Sequence, residues 1–206
     1  MISSPRPAVA LLLALAGVTA HAPSAAAQRL SLRPQIGFYI PTNDLIGVSQ
    51  GGDIGKIEAG PSFGAAVGVR FGSRFGVEVT GTYVPTTFSL GPAGAINEQE
   101  ARLFLGNALA VFHVLPATLP ISFSVNGGIG MISRGGVAFT NDAKTSDVAG
   151  VLGAAAGIRL GGIALVAGAD LFKYSTSYSG TQQTAPSVNQ LDIQLRLGFG
   201  LPLGGQ

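Results

Sequence analysis

Apolar side chains recur at every second position through most of this chain. Between Leu191 and Leu201, for example, the odd positions hold Leu, Ile and Phe, whereas the even positions hold Asp, Gln, Arg and Gly. A strand points successive side chains to opposite faces, so this alternation predicts a strand with one apolar and one polar face. Eight segments carry the pattern, over residues 30–40, 63–71, 75–83, 100–114, 121–131, 148–160, 163–171 and 191–201.

The fourth segment is less regular than the others. Its apolar odd positions, which we expect on the same face as those of the other strands, are interrupted by Asn107, while Phe104 and Phe112 have the opposite parity. Because one extra residue would reverse the parity, a β-bulge is expected near Asn107. The leucines and valine concerned are Leu103, Leu105, Leu109 and Val111.

The connections between these segments alternate in length. Long polar stretches lie at 41–60, 84–97, 133–147 and 175–189, and short turns lie at 72–74, 115–119 and 161–162. The apolar parity switches across the two-residue turn Gly161-Gly162 and is kept across the three-residue turn Gly72 to Arg74, as antiparallel pairing requires. The predicted fold is all-β, an eight-stranded antiparallel up-and-down transmembrane β-barrel with long loops at one end.

Composition indicates which face of the strands is outside. Charged residues make up only 11% of the chain, and 31 residues are glycine. A soluble, lipocalin-like barrel with its apolar face inside would present Gly, Ala and Ser to water, a poor soluble surface. We therefore expect the apolar face to contact lipid, although the soluble periplasmic binder remains an alternative.

The first 27 residues have the pattern of a secretory signal. Arg6 precedes the apolar run Ala8 to Ala20, and Ala25-Ala26-Ala27 forms a small-residue cleavage site. The predicted domains are therefore a signal peptide at 1–27 and a barrel at 28–206. A membrane helix over 148–171 is the rival interpretation, but Arg159 and Gly161-Gly162 would interrupt it.

In these features the chain resembles the small outer-membrane β-barrels of the OmpX and OmpA-barrel kind. The segment Gly37 to Thr42 is similar to the first strand of such barrels, and Arg196 to Leu203 is similar to their last strand. The resemblance implies location in the bacterial outer membrane, contact with its lipid, and insertion by the barrel-assembly machinery through the last strand.

Eight charged residues have the parity of the polar face. Five are basic and three acidic, which predicts a paired charge network in the lumen: Arg33, Arg70, Glu78, Arg102, Arg159, Asp170, Asp192 and Arg196. Arg70 and Glu78 lie diagonally across the Gly72 turn, within reach of each other. A narrow anion path is the alternative interpretation of this set.

The sequence gives little basis for catalysis or cofactor binding. The predicted mature chain has a single histidine, His113, without a serine two residues away, and the whole chain has no cysteine. Asp44, Asp53 and Glu58 lack the spacing of a calcium loop, and no basic stripe is present for nucleic acid. We expect no enzyme activity, cofactor or metal.

The expected function is that of an envelope scaffold with surface loops available for adhesion to a surface ligand. Loop 175–189 is rich in Ser, Thr, Gln and Tyr, which suits hydrogen-bonded contacts. The alternative is transport of small or hydrophobic solutes. A break in the wall near Asn107 would favour transport, and a filled lumen would count against it.

Overall fold

The computed structural model describes residues 28–44, 53–92, 97–116, 118–139, 145–176 and 187–203. The predicted signal peptide therefore lies outside the described residues, as do parts of the predicted long loops. Nine strands form one antiparallel sheet: β1 (Gln28–Pro41), β2 (Asp53–Ile57), β3 (Gly60–Phe71), β4 (Phe75–Pro92), β5 (Asn97–His113), β6 (Ile121–Gly135), β7 (Ser146–Leu160), β8 (Ile163–Thr176) and β9 (Val188–Leu203).

Eight of these strands close into a barrel. Each pairs with its neighbours along the chain, β1 pairs with β3 on one side, and β1 pairs with β9 on the other, which joins the first strand to the last. At this junction the β1–β9 pairing is interrupted around Pro34, which has no N–H to donate. Closure leaves no open edge in the barrel wall, as the predicted fold requires.

The ninth strand was not predicted. β2 lies within the stretch 41–60 that the sequence assigns to a loop, and it pairs with β4 residues 88–92 where β3 has ended. β4 likewise continues to Pro92 and β5 begins at Asn97, so most of the predicted second loop is strand. At this hairpin most residues predicted as loop extend the two strands instead, because the β-branched and aromatic residues around Phe88 favour strand pairing.

Both short turns predicted from parity have the expected register. Phe71 pairs with Phe75 across Gly72 to Arg74, and Leu160 pairs with Ile163 across the two glycines. Gly72 and Gly161 have positive φ values of 61° and 64°. This conformation is strained for residues that carry a Cβ atom, whereas glycine adopts it readily. The rival helix over 148–171 is wrong, because these residues form β7 and β8.

Among the described residues, no helix is long and apolar enough to cross a membrane. A 3-10 turn, Val137–Phe139, lies between β6 and β7. Its Phe139 is buried against Phe88 of β4, with ring centroids 5.4 Å apart. This contact lies toward the long-loop end and belongs to the buried apolar cluster of the lumen.

The apolar faces point outward on every barrel strand except β5. On β5 the odd positions are buried in the lumen, and Phe104 is 52% exposed on the outside. The predicted bulge is absent as well, since β5 pairs without interruption with β4 and β6 on both sides of Asn107. The leucines of β5 are thus part of an internal core with Ile132, Val151 and Phe172.

Candidate functional site

The middle of the lumen holds a cluster of four charged side chains from four strands. Arg33 comes from β1, Glu78 from β4, Asp170 from β8 and Arg196 from β9. Each has the inward parity of its strand, and all four are largely shielded from solvent. We call these four residues the charge quartet.

Both acids of the charge quartet are bonded to arginine. Oε1 of Glu78 lies 2.5 Å from Nη2 of Arg33 and 2.8 Å from Nη1 of Arg196. Arg196 also donates from Nη2 to Oδ1 of Asp170 at 3.3 Å, and its Nε lies 2.8 Å from Oδ2 of the same carboxylate in an ion pair. The charge quartet carries two positive and two negative charges, so the charges balance within the low-dielectric interior.

Small and polar neighbours complete this layer. Asn126 donates from Nδ2 to Oδ1 of Asp170 at 3.2 Å. A Cβ on Gly153 would lie 2.1 Å from the same Oδ1 atom, and one on Gly198 would lie 2.8 Å from Cγ of Arg33. The inward glycines therefore leave the space that the charged side chains occupy.

A second polar group lies toward the long-loop end of the lumen. Arg134 on β6 and Asp147 on β7 are joined by a 2.7 Å ion pair, and both side chains are 1% exposed. The guanidinium of Arg134 is 5.6 Å from the centre of the Tyr174 ring. Tyr174 donates to Oδ2 of Asp192 at 2.6 Å, and Tyr39 donates to the same oxygen.

The eight residues predicted for one lumen network lie at several different places in the structure. Arg33, Glu78, Asp170 and Arg196 form the charge quartet, and Asp192 is buried with the two tyrosines. Arg70 lies near the Gly72 turn, where its Nη2 donates to the carbonyl of Ser73 at 2.5 Å. The described ion pairs of Glu78 are with Arg33 and Arg196 rather than with Arg70.

Two of the predicted lumen arginines are exposed. Arg159 has the inward parity but lies at the short-turn end of β7, next to Leu160. Arg102 contradicts the prediction: it has the parity of Phe104 and lies on the outer face of the barrel. Its position follows from the reversed parity of β5, since an odd apolar face inside places the even residues outside.

Arg134 and Asp147 were not predicted as lumen residues, because both lie in the stretch 133–147 that the sequence assigns to a loop. A signal for them exists, since Arg134 continues the inward parity of Asn126 on β6 and Asp147 continues that of Arg159 on β7. Extending the alternation by a few residues would have placed both side chains in the lumen. Tyr174 follows from the same extension of the segment 163–171, whereas Tyr39 already has the polar parity of the predicted segment 30–40.

The candidate residues outside the lumen have ordinary surroundings. Glu58 is partly exposed, lies 3.6 Å from Nζ of Lys56 and accepts a hydrogen bond from Ser89. His113 is half-buried at the end of β5, where its backbone N–H donates to the carbonyl of Arg74. Within the described ranges, no group of three or more His, Asp or Glu side chains could hold a metal ion.

The outer face carries two rows of aromatic side chains. Tyr83 pairs with Phe63 and Phe104 across neighbouring strands on the long-loop side, and Phe71 and Phe75 mark the short-turn side. Phe63 and Phe71 are eight residues apart on β3, which corresponds to roughly 20 Å along a tilted strand. Between the rows the exposed side chains are aliphatic or small, a surface suited to lipid.

Comparison with solved structures agrees with this geometry. The outer-membrane protein OprG of Pseudomonas aeruginosa superimposes with a TM-score of 0.67 at 10% identity, covering 87% of this chain and 97% of that one. The Neisserial surface protein A superimposes with a TM-score of 0.52 at 11% identity, covering 84% and 97%.

The fold is that of the small outer-membrane barrels. No protein-family model matches the sequence, and no curated protein matches it. The likeness therefore lies in the architecture, an eight-stranded closed barrel, as the sequence predicts. The aliphatic belt between aromatic rows suits a barrel that crosses a lipid bilayer.

Proposed function

We propose that this chain is a non-catalytic, structural protein of the outer membrane whose closed barrel holds its connecting segments at the cell surface for adhesion. The observation that carries the proposal is the filled lumen. The charge quartet crosses the middle of the barrel, and apolar side chains such as Leu105 and Phe172, both fully buried, occupy the region above it.

The transport alternative lacks the feature that would favour it. The wall at Asn107 is continuous, because Asn107 pairs with Thr80 on one side and Gly130 on the other. The soluble lipocalin-like alternative requires an apolar face inside all strands, whereas Gln35, Asn126 and Gln194 are among the buried lumen residues. Both observations support a membrane scaffold with a closed interior.

The scaffold role is tested by conductance across planar bilayers. The purified, folded chain should add no steady current, while the double variant Arg33→Ala, Arg196→Ala should conduct, because it removes two large side chains that fill the lumen. A matched control is Lys56→Ala, an exposed cation outside the barrel wall. Discrete current steps from the unmodified chain would contradict the scaffold proposal.

The adhesive role is tested separately on cells that display the barrel. Residues 177–186, within the predicted loop 175–189, lie outside the described residues. Replacing them with a Gly-Ser linker of equal length should reduce attachment to cultured host cells several-fold while heat-modifiable mobility is kept. Equal attachment by cells with and without the barrel would contradict the adhesive role and leave the scaffold role standing.

A further inference from the structure

One arginine lies on the outer face of the barrel at the level where the lipid surface begins. Arg102 pairs with Pro85 of β4 and Gly135 of β6, and it is the next outward residue beyond the exposed Phe104 toward the long-loop end. A charged side chain in the hydrocarbon region is costly, and the cost falls steeply at the interface. Its place just beyond the aromatic row therefore puts Arg102 among lipid headgroups.

The wall beside Arg102 has space for a headgroup. A shallow groove of about 290 Å³ is lined by Arg102 together with Tyr83, Phe104, Ser133 and Gly135. A Cβ on Gly135 would lie 3.2 Å from Nε of Arg102, so the missing side chain at this glycine lets the arginine lie against β6. The guanidinium is thus held beside the groove.

Two hydroxyl groups share this outer surface. Ser133 of β6 pairs with Ser146 of β7, and their Oγ atoms are 3.2 Å apart. Ser133 is also the pairing partner of Phe104. Toward the short-turn end, the next outward pair is Met131 and Val148, both strongly exposed. Polar donors therefore lie above an apolar surface, the order in which a lipid presents its headgroup and chains.

Arg102 differs in its surroundings from the three arginines that are buried in the lumen. Arg33, Arg134 and Arg196 each contact a carboxylate, whereas none of the ion pairs among the described residues includes Arg102. A guanidinium in this setting favours a phosphate, which accepts two parallel hydrogen bonds from it. The charge complementarity points to an anionic headgroup rather than to a neutral one.

We propose that Tyr83, Arg102, Phe104, Ser133 and Ser146, which we call the rim patch, bind a phosphate group of an outer-leaflet glycolipid. Arg102 contacts the phosphate, the serine hydroxyls donate to its remaining oxygens or to the sugar, and the acyl chains lie over Phe104 and Met131. The proposal goes beyond the scaffold role, since it assigns the barrel a specific lipid partner.

The test is native mass spectrometry of the folded, full chain released from detergent with bisphosphorylated lipid A. The unmodified chain should retain the lipid, and Arg102→Gln should weaken its apparent affinity about tenfold, the ratio expected for losing one charge-assisted contact. The double variant Ser133→Ala, Ser146→Ala, which keeps all charges, should weaken it about threefold. Fully dephosphorylated lipid A should bind no better than Arg102→Gln binds the bisphosphorylated form.

Lys173 provides the matched control, because it is exposed with the outward parity of β8. Lys173→Gln removes one outward positive charge elsewhere on the barrel and should leave the affinity unchanged. Inorganic phosphate should not displace the lipid, since the acyl chains contribute to binding.

An equal loss in Lys173→Gln, undiminished binding by Arg102→Gln, or equal retention of the dephosphorylated lipid would each overturn the proposal. Heat-modifiable mobility on gels, measured for every variant, separates a loss of binding from a loss of the fold. A folded barrel without lipid selectivity would refute the rim patch alone and would leave the scaffold proposal untouched.

Discussion

Glu78 is the residue on which the interior of the barrel depends most. One of its oxygens accepts from both Arg33 and Arg196, and Thr80 lies 3.5 Å from the same atom. Glu78 thereby joins β4 to β1 and β9 across the lumen. Removing one partner of a buried ion pair leaves the remaining charge without compensation, which costs more than the pair contributes.

The substitution Glu78→Gln should lower the free energy of unfolding by about 3–5 kcal/mol, because it preserves size and leaves two buried arginines with one acid between them. Urea unfolding followed by gel mobility measures this change. Glu58→Gln is the control, since Glu58 pairs with Lys56 at an exposed site, and it should cost about 1 kcal/mol or less. Equal costs at the two sites would show that the charge quartet adds nothing to stability.

At the scale of the strand, β5 shows that alternation in a sequence can predict a strand without predicting which of its faces is outward. The period of two predicted the strand itself, but the parity expected to face lipid was wrong. Both parities of β5 are apolar, with leucines on one and Phe104 and Phe112 on the other. The lumen beside β5 is apolar because Ile132, Val151 and Phe172 face it. Those contacts join distant segments, so no local pattern contains them.

The orientation of β5 can be tested with single cysteines, since the chain contains none. A nitroxide quencher in the lipid phase should strongly reduce the fluorescence of a probe on Phe104→Cys. A probe on Ala108→Cys, also outward, should be reduced to a similar degree, because both side chains contact lipid. Stronger quenching at Asn107→Cys, whose side chain is buried, would instead put the odd parity outside.

Glycines provide a second test at the scale of the strand. Gly153→Ala should destabilise the barrel by about 1–3 kcal/mol, because its Cβ would overlap Oδ1 of Asp170 and the backbone oxygen of Ala169. Gly106→Ala on β5 meets no atom within 4 Å and should be neutral or slightly stabilising. Thermal unfolding by circular dichroism measures both. The order of the two effects is the decisive result, and a reversed order would contradict the packing described for the lumen.

At the scale of the whole molecule, the closed sheet followed from simple counts of strands and turns. Alternating strands, short turns with matched parity and low charge predicted the barrel correctly. The ion pairs were less predictable, because parity identifies which side chains face inward but not which of them meet. Glu78 was expected near Arg70, its neighbour across one turn, yet it contacts Arg196, 118 residues away.

For the whole molecule we expect heat-modifiable migration on gels. The chain from the outer-membrane fraction should run faster unboiled than boiled, because a closed barrel resists detergent and stays compact. Recovery from the periplasm without detergent, with no change of mobility on boiling, would contradict the membrane barrel. The unboiled form of Pro34→Ala should keep its mobility, since β1 already pairs with β9 on both sides of Pro34.

The charge quartet also has a consequence for how the chain assembles. Its four members come from the first barrel strand, the third, and the last two, so no single hairpin contains a complete set. A sheet that has not yet joined its two ends keeps Arg33 and Arg196 apart, and Glu78 lies far from at least one of them. The β8–β9 hairpin already holds Asp170 beside Arg196, but only ring closure brings Arg196 to Glu78, so closure completes the charge quartet and stabilises the finished barrel. Closure that occurs early or in the wrong register would leave Glu78 and Arg196 apart, and such intermediates should reopen rather than persist.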